Sequence, residues 1–189
     1  MKFVKNVIKQ NTMKTIYTLI TILFLTTTTV FSQYSYVVKK INPNLVPKEV
    51  ITEFEDIFSD VKTIRWEKHT GKGKKRSHVK YVVIFDKDGI RSRARYNPDG
   101  SGISATSYYW FKKGVAKLPA KVKNYTASQH PGFKVNSGEK VISLKSSKYI
   151  YRLRLRKGTS KLVVYVNESG EMIDKNNLPS EFTGDENEK

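Results

Sequence analysis

Tyr149-Ile150-Tyr151-Arg152-Leu153-Arg154-Leu155-Arg156 is the stretch whose alternation decides the fold. In an extended strand, successive side chains point to opposite faces. Tyr149, Tyr151, Leu153 and Leu155 then make one apolar face, and Arg152, Arg154 and Arg156 make the other. The same spacing recurs in Ile90-Arg91-Ser92-Arg93-Ala94-Arg95-Tyr96, where Arg91, Arg93 and Arg95 oppose a weaker face of Ile90, Ser92, Ala94 and Tyr96. Both stretches imply an antiparallel sheet with one buried face and one cationic face.

Around these stretches lie further strands and turns. Val79-Lys80-Tyr81-Val82-Val83-Ile84-Phe85 is rich in β-branched and aromatic residues and reads as the strongest strand. Asp86-Lys87-Asp88-Gly89 and Asn97-Pro98-Asp99-Gly100 read as turns. Ile103 to Phe111 reads as a fourth strand that sets Tyr108 and Trp110 on one face. Val46-Pro47 opens a helix whose Val50, Ile51, Phe54, Ile57 and Phe58 recur at helical spacing. Leu118-Pro119 opens a second helix, with Val122 and Tyr125 facing in. Lys140–Leu144 and Lys161–Val166 read as further strands, and Asn167-Glu168-Ser169-Gly170 as a turn. Val46-Pro47, Val50 and Glu67-Lys68 correspond to Leu118-Pro119, Val122 and Glu139-Lys140 at a spacing of 72 residues. The expected fold is α+β: two helix-then-antiparallel-meander repeats, at about 45–112 and 117–175, with the helices packed on one face of an antiparallel sheet.

The N-terminus carries an address. Met13-Lys14 precedes the apolar run Thr15–Leu25, and Val30-Phe31-Ser32-Gln33 ends it in small and polar residues. This is the pattern of a secretory signal peptide over residues 1–32, cleaved after Ser32, with Met13 an alternative start. The apolar run is about ten residues, half of the ~20 that a membrane span needs, so no transmembrane segment is expected after cleavage. A periplasmic or secreted location follows. The chain has no cysteine, which excludes a disulfide framework and a thiol nucleophile.

Charge points to the class of partner. The 189-residue chain carries +18, of which residues 1–32 supply four lysines and no acid. Residues 176–189 hold four acids and one lysine and read as an acidic, disordered tail. The domain between them, 33–175, is therefore near +17. Such a surface favours anionic partners.

A family pattern is also present. Leu/Val-Pro-x-x-Val at both helix starts, Val61-Lys62-x-Ile64-x-Trp66-Glu67-Lys68, the Tyr81–Phe85 strand and the Asp-x-Asp-Gly and Asn-Pro-Asp-Gly turns carry it, with Pro131-Gly132-Phe133-Lys134-Val135 after the second helix. This resembles the PepSY-like proteins, also called β-lactamase-inhibitor-like, over about residues 45–175. The resemblance implies a helix packed on an antiparallel sheet used twice, export, and a sheet face that docks onto a protein. It implies no reaction and no catalytic residues. The chain departs from that family in being basic where such domains are commonly acidic.

Motifs of catalysis are missing. His69, His78 and His130 are irregularly spaced among lysines, unlike a metal-ligand set, so no metal and no cofactor are expected. No Gly-x-Ser-x-Gly elbow, phosphate loop or dinucleotide fingerprint occurs, and the chain reads as no enzyme. The candidate binding residues are Arg91, Arg93, Arg95, Arg152, Arg154 and Arg156, together with Lys74, Lys75 and Arg76 of a basic loop and the aromatic Tyr108 and Trp110. The expected function is an exported, non-catalytic binding or inhibitor-like module that engages an acidic protein through a basic sheet face. The alternative is a binder of an anionic envelope component such as lipopolysaccharide or an acidic glycan. Nucleic acid is not an expected partner of an exported chain.

Overall fold

The computed structural model describes residues 35–72, 77–179 and 182. Nine strands follow in chain order: β1 (Ser35–Ile41), β2 (Lys62–Lys72), β3 (Ser77–Lys87), β4 (Ile90–Tyr96), β5 (Gly102–Tyr109), β6 (Lys134–Ser143), β7 (Tyr149–Lys157), β8 (Ser160–Val166) and β9 (Met172–Ile173). All nine belong to one sheet, each strand beside the next in sequence. Among the described residues, three α-helices interrupt the meander: α1 (Lys48–Ile57), α2 (Phe111–Ala116) and α3 (Ala120–Gln129). Among the described residues, no helix is long and apolar enough to cross a membrane.

The expected α+β fold of two helix-meander repeats is corrected by β5 and β6. These strands flank the supposed boundary near residues 112–117, yet they pair directly, from Ser104↔Ser143 to Tyr109↔Gly138. The pairing satisfies the backbone groups that two separate sheets would each leave at an edge. The result is one continuous nine-stranded antiparallel sheet, with helices of only 10, 6 and 10 residues.

Strand alternation gives the sheet one thick apolar face. Val50 and Phe54 of α1 are buried there against Trp66, Tyr81, Val83 and Phe85. The Phe54 ring meets Trp66 and Phe85 edge-on, at centroid distances of 5.5 and 5.4 Å. Truncating such a buried aromatic costs about 3–5 kcal/mol. Farther along the same face, Leu118 and Val122 cover Tyr151, Leu153, Leu155 and Val164.

The opposite face carries the arginines and a smaller cluster. Val141, Ile150 and Tyr165 are buried with Phe182, and Leu178 and Ile173 pack against them. Leu178 and Phe182 belong to the stretch read as an acidic tail, and Pro179 O accepts the Phe182 N–H at 2.9 Å. The signal-peptide reading of 1–32 and the tail beyond Phe182 lie outside the described residues.

Candidate functional site

Register places both arginine triplets on one face. Arg93 opposes Thr106, Thr106 opposes Val141, and Val141 opposes Ile150. Residues directly opposite in an antiparallel pair share a face. Ile150 shares its face with Arg152, Arg154 and Arg156, two residues apart along β7.

The β4 arginines are drawn inward progressively from Arg91 to Arg95. Arg95 is 4% exposed, and its Nε and one terminal nitrogen donate to Ser104 Oγ at 3.1 and 2.8 Å. The Arg93 guanidinium lies 5.8 Å from the Tyr108 ring centre, a cation–π contact. Arg91 is exposed and donates from Nε to Asp86 at 2.9 Å, the residue opposite it on β3.

The β7 arginines part company along the strand. Glu139 opposes Arg152 and is buried. Its carboxylate accepts from Arg152 Nε at 3.0 Å and from an Arg152 terminal nitrogen, and from an Arg154 terminal nitrogen at 2.6 Å. One acid thus holds two arginines. Arg156 lies beyond its reach and, among the described residues, donates only to the turn carbonyl of Gly158, at 3.0 Å. Opposite Arg156 stand Lys134 on β6 and Lys161 on β8. Three exposed cations therefore lie abreast on neighbouring strands, and among the described residues no acid pairs with them. Directly opposed strand residues sit about 5 Å apart at Cα, so like charges there repel.

Trp110 and Phe111 stand beside this row. The expected strand through Phe111 is corrected: β5 ends at Tyr109, Trp110 caps α2, and Phe111 takes a left-handed φ of 57°. Tyr108 and Trp110 still stack, with ring centres 4.9 Å apart. Gly114 lets α2 fold down onto the strand end, since a Cβ there would lie 3.0 Å from the Tyr109 carbonyl carbon. Trp110 is 46% exposed and Phe111 is 83% exposed. Both line a groove of about 940 Å³ that also reaches Lys123, Lys134, Val135 and Arg156. A smaller hollow of about 310 Å³ adjoins it at Arg154, Lys161 and Val163.

The structure therefore groups the proposed residues unevenly. Arg154, Arg156 and Trp110 border the open end of β6–β8, whereas Arg95 and Arg152 are tied into the protein. Lys74, Lys75 and Arg76 lie outside the described residues. Sequence reasoning missed Phe111, Lys134 and Lys161 as members of the site. Lys161 was legible: Lys157 pairs with Ser160 across a two-residue turn, which sets Arg156 opposite Lys161.

Elsewhere on this face, polar groups bond to one another. Tyr36 Oη and His69 Nδ1 lie 2.6 Å apart, His69 Nε2 and Glu67 Oε2 2.9 Å, and Arg65 Nε donates to Glu67 Oε1 at 2.6 Å. Burial pushes the Glu67 carboxyl up, but the bonds from His69 and Arg65 outweigh it and hold the carboxyl below its usual value. No group of three or more His, Cys, Asp or Glu side chains is placed to hold a metal among the described residues.

Solved structures share the architecture. A DUF2874 family protein from Bacteroides uniformis matches with a TM-score of 0.50 at 14% identity, covering 68% of this chain and 86% of its own. A DUF2874 family protein from Bacteroides ovatus matches with a TM-score of 0.50 at 13% identity, covering 68% and 84%. A Bacteroides eggerthii protein whose name proposes a periplasmic location matches with a TM-score of 0.49 at 19% identity, covering 68% and 86%. At such identities the likeness speaks for the fold alone. No family model matches the chain, and neither does any curated protein. The PepSY-like resemblance is thereby corrected: the Bacteroides uniformis and Bacteroides ovatus structures carry the family name DUF2874, and neither is named PepSY-like or β-lactamase-inhibitor-like. Its Asp-Gly and Asn-Pro-Asp-Gly turns suit any antiparallel meander, because they answer the backbone needs of tight turns.

Proposed function

We propose that the chain is an exported, non-catalytic binding module that captures an anionic partner at the open end of β6, β7 and β8. The observation that carries this reading is the row Lys134, Arg156 and Lys161, three exposed cations opposed on adjacent strands. Such a row costs stability in the free protein, and an anion laid across it relieves the repulsion. Arg154 extends the row, because Glu139 is shared between it and Arg152 and cannot neutralise both. The leader-like pattern of residues 1–32 delivers the module to the periplasm or beyond.

The partner this surface suits best is an acidic protein. Arginine offers carboxylates a planar fork, and the exposed Trp110 and Val163 beside the row give the mixed aromatic and apolar contacts common in protein interfaces. Retention on immobilised polyglutamate and on a sulfated-polysaccharide resin, each eluted by a salt gradient, tests the reading. Retention on polyglutamate that falls as salt rises, and that weakens in Arg156→Ser and Lys161→Ser, supports it. Retention on the polysaccharide alone moves the reading to an envelope polyanion. Passage through both resins at low salt contradicts it.

A further inference from the structure

The groove beside the cation row has a chemistry of its own. Its wall is mainly apolar, with Trp110, Phe111, Val115, Ala116 and Val135 beside the polar Asn136 and Ser137. Its rim is cationic, with Lys112, Lys123, Lys134 and Arg156, and among the described residues no carboxylate lines it. At about 940 Å³ it falls within the range of small-molecule sites, roughly 300–1,000 Å³. Phe111 is held in it at a cost. A bulky residue with φ of 57° carries backbone strain, and the ring is 83% exposed instead of buried. The helix that follows buries no residue fully, and Val115 packs against the core only in part. The strained backbone and the exposed ring both fall at the mouth of the groove.

An acidic protein laid across Arg154, Arg156, Lys161 and Val163 answers the cations of the sheet face, and the apolar groove beside them calls for an occupant of its own. An acidic sugar chain could bond to Asn136 and Ser137, but it would leave the longer apolar run of Trp110, Phe111, Val115, Ala116 and Val135 unmatched. An acyl chain ending in a carboxylate or phosphate meets both requirements. Its tail lies along Trp110, Phe111, Val115 and Val135, and its head is met by Lys123, Lys134 and Arg156.

We infer that this groove binds an anionic amphiphile, a single alkyl chain with a phosphate or carboxylate head. The inference rests on the anion-binding reading above for its head and adds a separate requirement for its tail.

Dodecyl phosphate, dodecyl maltoside and inorganic phosphate, each below any micelle concentration, are the probes. The chain has two tryptophans, and Trp66 is only 4% exposed, so a change in fluorescence reports on Trp110. Dodecyl phosphate is expected to bind saturably at one per chain, with a blue shift of Trp110 emission. Affinity should rise about tenfold for every two methylenes from octyl to dodecyl phosphate. Lys134→Ser and Phe111→Ser should each weaken it about tenfold, with unfolding curves confirming that both variants remain folded. Equal binding of dodecyl maltoside would overturn the inference, because the head would then be irrelevant. Inorganic phosphate binding as tightly as dodecyl phosphate would overturn it too, while leaving the anion-binding reading intact. A dimer that dodecyl phosphate fails to dissociate would assign the groove to a second copy and overturn it. Absence of binding by dodecyl phosphate, alongside normal retention on the anionic resins, removes the groove ligand alone; loss of both removes both readings.

Discussion

The arginines of β4 and those of β7 share a spacing and a face, but they meet different neighbours. Arg91 faces Asp86, and Arg95 is buried on Ser104. Arg152 is held by Glu139, whereas Arg156 faces Lys134 on one side and Lys161 on the other. Strand alternation decides which face a side chain takes. The residues opposite decide whether its charge is spent inside the protein or presented outward.

The largest effect should come from the acid that separates the inner from the outer β7 arginines. Glu139→Gln leaves Arg152 and Arg154 beside a neutral, buried amide. Breaking a buried pair costs about 3–5 kcal/mol. Because the Arg152 side chain is 16% exposed and the Arg154 side chain 45%, solvent screens part of this, and about 2 kcal/mol is expected by urea unfolding. A loss within error of zero would show that Glu139 does not hold the inner end. Next comes Arg95→Met, which leaves the Ser104 hydroxyl buried without its donor and should cost about 1–2 kcal/mol. Arg91→Ala removes only an exposed pair with Asp86 and should cost about 0.5 kcal/mol or less. If Arg91→Ala proved the costlier, burial would not be what distinguishes the arginines of β4.

Acid offers a further probe of the paired regions. The Glu67 carboxyl is held below 4.5 in the folded chain. The unfolded chain therefore takes up that proton first, so this contribution is present above about 4.5 and is lost as pH falls through the lower folded value. Glu67→Gln should flatten the fall of stability in that acid range, while stability near neutrality drops slightly. An unchanged acid slope in urea melts would contradict the His69 and Arg65 bonds.

The smallest predicted effect has the opposite sign. Lys161→Glu replaces repulsion with attraction opposite Arg156 and should stabilise by about 0.5 kcal/mol. The same change should weaken retention on an anionic resin. A gain in stability with a loss of binding would mark the row as a binding device.

Much of the sheet was legible because Arg and Leu alternate strictly in Leu153-Arg154-Leu155-Arg156, and the Asp88-Gly89 and Asn97–Gly100 turns need positive φ that Gly supplies. The single continuous sheet was not legible. The strand read at Lys140–Leu144 did not include Asn136, Ser137 and Gly138, yet β6 runs through them with a register shift between Val135 and Ser137. That shift brings Lys134 opposite Arg156, whereas Glu139 stands opposite Arg152 through the unbroken register that begins at Ile142↔Tyr149; no local pattern encodes the shift. The end of β5 was misjudged for a related reason. Tyr108-Tyr109-Trp110-Phe111 has strand composition, but Phe111 turns left-handed and Gly114 closes the chain into α2.

The central claim is that location, not total charge, makes the open end of β6–β8 the binding surface. A charge-matched pair of triple variants tests it most directly on a salt-eluted polyglutamate column. One is Lys134→Ser, Arg156→Ser and Lys161→Ser; the other is Lys39→Ser, Lys40→Ser and Lys62→Ser, exposed lysines on β1 and β2. Early elution of the first variant, with the second eluting near the unaltered protein, is the predicted result. Equal shifts of both would contradict it and reduce the binding to net charge.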